Sequence, residues 1–153
     1  MKNNKGFTLI ELLVVIAILA GFMALLVPNM MLVRVKARDM RRKSDLKSIQ
    51  KALELYKQNQ VLPEYPATAS FPASCTVFSD ANGVYLQKMP QDPLTSLSEC
   101  GTAAANYYYI RDPLDAGKYT LCACLENSTD PEGLASCSAA PTCSGKYYKL
   151  IEP

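Results

Sequence analysis

The sequence predicts an α+β fold, a long N-terminal helix laid against a small antiparallel sheet, on three observations. Residues 7–27 include only two polar side chains, Thr8 and Glu11. Helical periodicity resumes further on, where Leu46, Ile49, Leu53 and Tyr56 recur at spacings of three and four. Three short runs rich in Tyr, Leu and Ile then fill the last third of the chain, with turn residues between them.

The first run is long enough to matter in a membrane. At 1.5 Å per residue it makes about 30 Å of helix, the thickness of a bilayer core. A secretory signal peptide would need a small-x-small site behind a shorter apolar core; Ile18-Leu19-Ala20 is a poor one, and the run continues past it. A plain anchor would have no use for Glu11. A carboxylate within an apolar span costs about 2.5–3.5 kcal/mol on insertion scales, unless it snorkels to the interface, and usually has a partner.

The order of residues here is distinctive. Lys5-Gly6-Phe7-Thr8-Leu9-Ile10-Glu11-Leu12, followed by Leu13-Val14-Val15-Ile16, resembles the processing and assembly motif of type IV pilins and type II secretion pseudopilins. The resemblance implies a pilin-like fold and cleavage by a prepilin peptidase between Gly6 and Phe7, with methylation of the new amine. It also implies that Glu11 of one subunit neutralises the Phe7 amine of a neighbour during assembly. Pairing would remove most of the cost of holding either charge in apolar surroundings. Pro28 stands where these families place a bend in the helix, and a proline inside a helix frees a carbonyl one turn back.

Four segments are expected: a leader at 1–6, a transmembrane and assembly helix at 7–27, an amphipathic stalk at 28–60 and a globular head at 61–153. Helix should end near Asn59, ahead of Pro63 and Pro66. Counted from Phe7, that is about 53 residues or roughly 80 Å. Residues 28–60 carry nine Lys/Arg and three Asp/Glu, and residues 61–153 carry five and ten. A basic stalk and an acidic head can attract a neighbour displaced along an axis, although charge runs are more often solvated faces. Arg34, Lys36, Arg38, Arg41, Arg42 and Lys43 follow the apolar run, so counting positive charges alone would place the head in the cytoplasm. The cysteines and the resemblance argue the reverse: N-terminus inside, head outside the cytoplasmic membrane, filament in the periplasm or at the cell surface. No fold that would present the basic cluster to nucleic acid is visible, so nucleic acid is not an expected partner.

The head holds all six cysteines, Cys75, Cys100, Cys122, Cys124, Cys137 and Cys143. An even count in a small head beyond a membrane segment suggests disulfides. Zinc is a poor rival, because there is no C-x-x-C pair and no histidine. Strands are expected at 106–110, 118–125 and 146–151, and 61–98 as loop with short elements. In the middle strand Tyr119, Leu121, Ala123 and Leu125 share the face that should meet the helix. Cys122 and Cys124 share the other face, are a poor pair for each other, and should reach the remaining cysteines.

Ser44-Asp45-Leu46-Lys47, Ala52-Leu53-Glu54-Leu55-Tyr56, Tyr65-Pro66, Tyr85-Leu86, Met89-Pro90 and Asp92-Pro93 extend the resemblance to the major pseudopilin of type II secretion. That family binds calcium in a loop after the middle strand. Glu126, Asn127, Ser128, Asp130 and Glu132 offer oxygens in a comparable place, but the Asp-Gly pattern is missing, so no metal and no cofactor is assigned. Asn127-Ser128-Thr129 also fits a glycosylation sequon. No catalytic constellation is visible, since histidine, a Gly-rich phosphate loop and a serine elbow are all missing.

The expected function is therefore a structural filament subunit, a secretion pseudopilin before a pilus subunit for adhesion, motility or DNA uptake. Its partners would be copies of itself, other pilin-like subunits, prepilin peptidase, an inner-membrane assembly platform and membrane lipid. The rival from another class is a membrane-anchored binding domain that never polymerises.

Overall fold

The computed structural model describes residues 6–26, 29–94, 107–138, 140 and 143–152. The leader residues 1–5, Pro28, Cys100 and Asn106 lie outside them. The chain divides into two compact units, Met1–Val35 and Lys36–Pro153. Helix α1 is Leu9–Leu26 and helix α2 is Asn29–Asn59, the second ending ahead of Pro63.

Helix α1 has 18 residues, about 27 Å at 1.5 Å per residue. Among the described residues no helix is long and apolar enough to cross a membrane. The apolar run in the sequence is longer than α1, taking in Phe7 and Thr8 before it and Val27 after it. Within the first unit the large apolar side chains of α1, Leu9 through Met23, are exposed on every side of the helix. A helix apolar all round has no polar face to give to water, so its surroundings must be lipid or other helices.

The second unit is built on α2 from Lys36 onward. Its stripe of Leu46, Ile49, Ala52 and Leu53 is fully buried. A hairpin that the sequence reading left within a loop, β1 (Phe78–Asp80) and β2 (Gly83–Leu86), caps the far end of this stripe. Phe78 and Tyr85 lie 5.5 and 5.3 Å from Tyr56, ring centroid to ring centroid. The turn between them uses Gly83 at φ 152°, a conformation that side-chain-bearing residues rarely adopt.

The main sheet is antiparallel in the order β3 (Tyr107–Arg111), β4 (Tyr119–Leu125), β5 (Lys146–Ile151). Tyr119, Leu121, Ala123 and Leu125 join Leu46, Ile49 and Leu53 in one core. Alternation along β4 thus does what its period of two requires, one face on the helix and one away from it. On the other face Cys122 bonds Cys137 and Cys124 bonds Cys143. Cys75 is disulfide-bonded as well. The two β4 links pin the 126–145 connection over the sheet, and Gly145 completes the closure, since a Cβ there would overlap the Leu125 carbonyl oxygen.

Each of these links closes a short loop, 15 and 19 residues in sequence. Replacing Cys124 and Cys143 together by Ala should cost about 3 kcal/mol. Thermal unfolding of the full chain in detergent reads this directly, and an unchanged midpoint would mean that the ion pairs described below hold the connection unaided.

Candidate functional site

At the N-terminal edge of α1 the residues of the processing motif are accessible. Gly6 and Phe7 are exposed, and a Cβ added at Gly6 would meet nothing within 4 Å. Among the described residues, nothing packs against Gly6 closely enough to require a glycine there.

Glu11 has a local partner that spacing alone could have announced. The Thr8 backbone N–H and the Thr8 hydroxyl each donate to Glu11 Oε2 at 2.9 Å. The Glu11 backbone N–H donates in return to Thr8 Oγ1 at 3.3 Å. This is a capping box, Thr-x-x-Glu, which satisfies two donors that a helix start leaves open. The carboxylate is thus held beside the first turn, bonded to Thr8, the residue that follows Phe7.

A second constellation lies in the head and was not legible from charge counts. Arg42 is buried, with 1% of its side chain exposed. Its Nε and Nη2 donate to the two oxygens of Asp92 at 2.7 and 3.1 Å. Its Nη1 donates to Asp39 Oδ1 and to Glu126 Oε1, both at 2.7 Å. Arg38 Nε donates to the same Glu126 oxygen at 2.8 Å. Asp39, also buried, accepts the backbone N–H groups of Glu126 and Asn127 at 3.0 and 2.9 Å. Lys43 Nζ donates to Asp130 at 2.8 Å and to Glu132 at 2.7 Å. Three cations of the basic stalk are therefore spent within the chain, on carboxylates of its own head.

This answers the question of a cation site in the 126–132 loop. The carboxylates of Glu126, Asp130 and Glu132 face Arg38, Arg42 and Lys43, and Asn127 Oδ1 accepts from Thr129. Among the described residues no cluster of carboxylates suited to a metal ion occurs. The donor set does not fit calcium, because the positive charge that the loop needs comes from the helix.

The same contacts give the loop an acid limit. Hydrogen bonds from Arg38 chiefly, then from Arg42, hold Glu126 below its ordinary value of 4.5. Burial raises Asp130, but the bonds from Lys43 and from the Glu132 N–H outweigh it and leave it below 3.8. Both groups bind protons more readily in the unfolded chain. Their stabilisation is fully present above about pH 4.5 and is lost as pH falls through the depressed folded values. The melting temperature should hold steady from pH 7 to 5 and decline below 4.5, and Arg38→Met with Lys43→Met should flatten that decline.

The chain is similar to known proteins both in its N-terminal segment and over a longer stretch. The prokaryotic N-terminal methylation motif matches residues 1–27. The type II secretion system core protein G of Klebsiella pneumoniae is 35% identical over 101 residues, which is 61% of this chain and 71% of that one. The chain belongs to the type II secretion system core protein G family. The core protein G of Aeromonas hydrophila is 33% identical over 103 residues, 60% of this chain and 68% of its own. A shorter match, 59% identical over 39 residues, links the chain to the type IV wide pilus major component of Thermus thermophilus, covering 26% of this chain and 30% of that one. No solved structure matches the chain. For a core protein G relative, the candidate residues fall in two places. Gly6, Phe7 and Glu11 lie within six residues at the start of the first unit, and Cys122, Cys124, Cys137 and Cys143 pair within the head; Pro28 and Cys100 lie outside the described residues. Thr8 and Arg42 are the residues that sequence reasoning passed over.

Proposed function

We propose that the chain is a structural subunit of a type II secretion pseudopilus, made as a membrane precursor and polymerised through α1, with no enzymatic role. The observation that carries this reading is a helix apolar on every side that holds one carboxylate at its first turn, next to an accessible Gly6-Phe7 bond. Prepilin peptidase cuts that bond on the cytoplasmic side, and the new Phe7 amine enters the bilayer edge. Glu11 of an adjacent subunit, released from its Thr8 bonds, neutralises it. Extraction from lipid then exchanges lipid contacts for helix contacts around α1, at no loss of apolar burial. The assembly platform, the other pilin-like subunits and the lipid of the inner membrane are the remaining partners.

The N-terminal peptide of the protein from its native host tests the reading. Its mass should correspond to a chain beginning at Phe7 and carrying one methyl group. A peptide that still begins at Met1 or Lys2 would sink it, in favour of an anchored binding domain. The Thermus match supports a type IV pilus as the second reading. Loss of secreted enzymes in a knockout favours the first, and loss of surface fibres, motility or DNA uptake the second.

A further inference from the structure

The second unit has one face whose charges are all of one sign. From Lys36 to Asn59, helix α2 holds three carboxylates, Asp39, Asp45 and Glu54. All three are bonded within the unit, to Arg42, to the Tyr107 hydroxyl and to the Tyr65 hydroxyl, each at 2.7 Å. The outer face has none. Lys36, Met40, Ser44, Lys47, Lys51 and Leu55 recur there at spacings of three and four, and all are exposed. Lys36, Lys47 and Lys51 make no ion pair among the described residues, whereas Arg38, Arg42 and Lys43 are paired with carboxylates of the head. From Lys36 to Leu55 this row is about 29 Å long at 1.5 Å per residue.

Anionic lipid answers the row better than a second copy of the chain does. The exposed carboxylates of Glu64, Asp115 and Glu132 are already paired, with Arg111, Lys118 and Lys43. A bilayer containing anionic lipid presents a continuous negative surface over the whole length of the row. Met40, 70% exposed, and Leu55, 50% exposed, can enter the headgroup boundary while the lysines stay with the phosphates. The chain also delivers the row to such a surface. Helix α1, apolar on every side, ends at Leu26, and Lys36 is ten residues beyond it. Ten residues reach at most about 35 Å even when fully extended.

We propose that in the membrane-bound precursor the second unit docks on anionic lipid headgroups through this face of α2, with Lys36, Lys47 and Lys51 on the phosphates. This rests on the membrane-precursor reading and adds the surface that the head gives to the membrane. Each lysine near an anionic surface favours contact about fivefold, so the three together favour this orientation by about a hundredfold. The rest of the head reinforces the choice. Residues 61–153 carry ten Asp/Glu against five Lys/Arg, so the unit turned over would be repelled. A docked unit must peel from the lipid as α1 leaves the bilayer. Lipid charge therefore sets how readily a subunit is drawn into a filament.

The full chain reconstituted in vesicles tests this, with a fluorescent amino acid at position 44 and a quencher attached to lipid headgroups. Position 136 is the control: it is exposed and adjoins Cys137, on the side of the sheet away from α2. In vesicles with about 30% phosphatidylglycerol, quenching at 44 should exceed that at 136 about tenfold. In phosphatidylcholine alone, or in about 1 M salt, where the Debye length is about 3 Å, the two positions should be alike. Lys36→Gln, Lys47→Gln and Lys51→Gln together should remove the quenching at 44 and leave the melting temperature unchanged. If that variant does not fold, Lys47→Gln with Lys51→Gln should remove most of it. Equal quenching at both positions in anionic vesicles, or quenching at 44 that ignores lipid charge, would overturn the docking. Self-quenching between copies at 44 with none from lipid would overturn it too, and would assign the face to another copy. A chain that does not float with neutral vesicles would overturn the membrane-precursor reading itself.

Discussion

Filaments are expected to disappear from cells carrying Glu11→Gln as completely as from cells carrying Glu11→Ala. The two variants separate the two tasks that the carboxylate can perform. Glutamine preserves the capping box, since its side-chain oxygen can still accept from the Thr8 N–H. Alanine loses that bond, at about 0.5–2 kcal/mol of local helix stability. Neither can neutralise an ammonium. If pairing with the Phe7 amine of a neighbour is what admits a subunit to the filament, each incoming copy of either variant buries an unpaired charge, at about 3–5 kcal/mol. That is on the order of a hundredfold or more in the subunit equilibrium. Sheared filaments counted by immunoblot and electron microscopy give the readout, with membrane-bound precursor as the control for synthesis. Normal filaments with Gln and none with Ala would assign Glu11 to capping alone.

The second large effect belongs to the head. Arg42→Met should destabilise it by about 3–5 kcal/mol, because Asp39 and Asp92 would stay buried without the guanidinium that they share. For a unit of this size the melting temperature should fall by more than about 10 °C. Adding Asp92→Asn removes one of the two buried negative charges and should recover part of the loss. Substituting an exposed cation of the same helix, Lys51→Met, should change the midpoint by about a degree or two, as surface charges do. A small effect of Arg42→Met would mean that water reaches the network and screens it.

The contrast between Arg42 and Lys51 explains what sequence could and could not tell. Apolar periodicity reports burial directly, so the Leu46, Ile49 and Leu53 stripe and the alternation along β4 were legible, and with them the α+β arrangement. The cysteines were legible as candidates, but their pairing depends on which loop passes over Cys122 and Cys124, a tertiary fact. A buried arginine has no periodic signature. Arg42 lies within a cationic run that reads as a solvated face, and its partner Asp92 sits 50 residues away in an irregular segment. The β1–β2 hairpin was missed for a different reason: strands of three and four residues are shorter than any alternation that can be recognised. Thr8 is the one omission that pattern could have prevented, since a threonine three residues ahead of a glutamate at the start of an apolar run is a local rule.

The Arg42 network also has a mechanical side. A filament pulled along its length loads each helix relative to the head it carries. An apolar interface between a helix and a sheet resists sliding weakly, because one contact is exchanged for a similar one further along. Hydrogen bonds that must break before they can re-form do not yield in that gradual way. Arg42 binds Asp92 on one side and Glu126 on the other, while Asp39 grips the backbone just beyond β4. Tension carried by α2 beyond Lys36 is therefore passed to two separate segments of the head at one level of the helix. The head moves with that stretch of helix as a rigid passenger, and extension of the fibre has to be sought elsewhere in the chain.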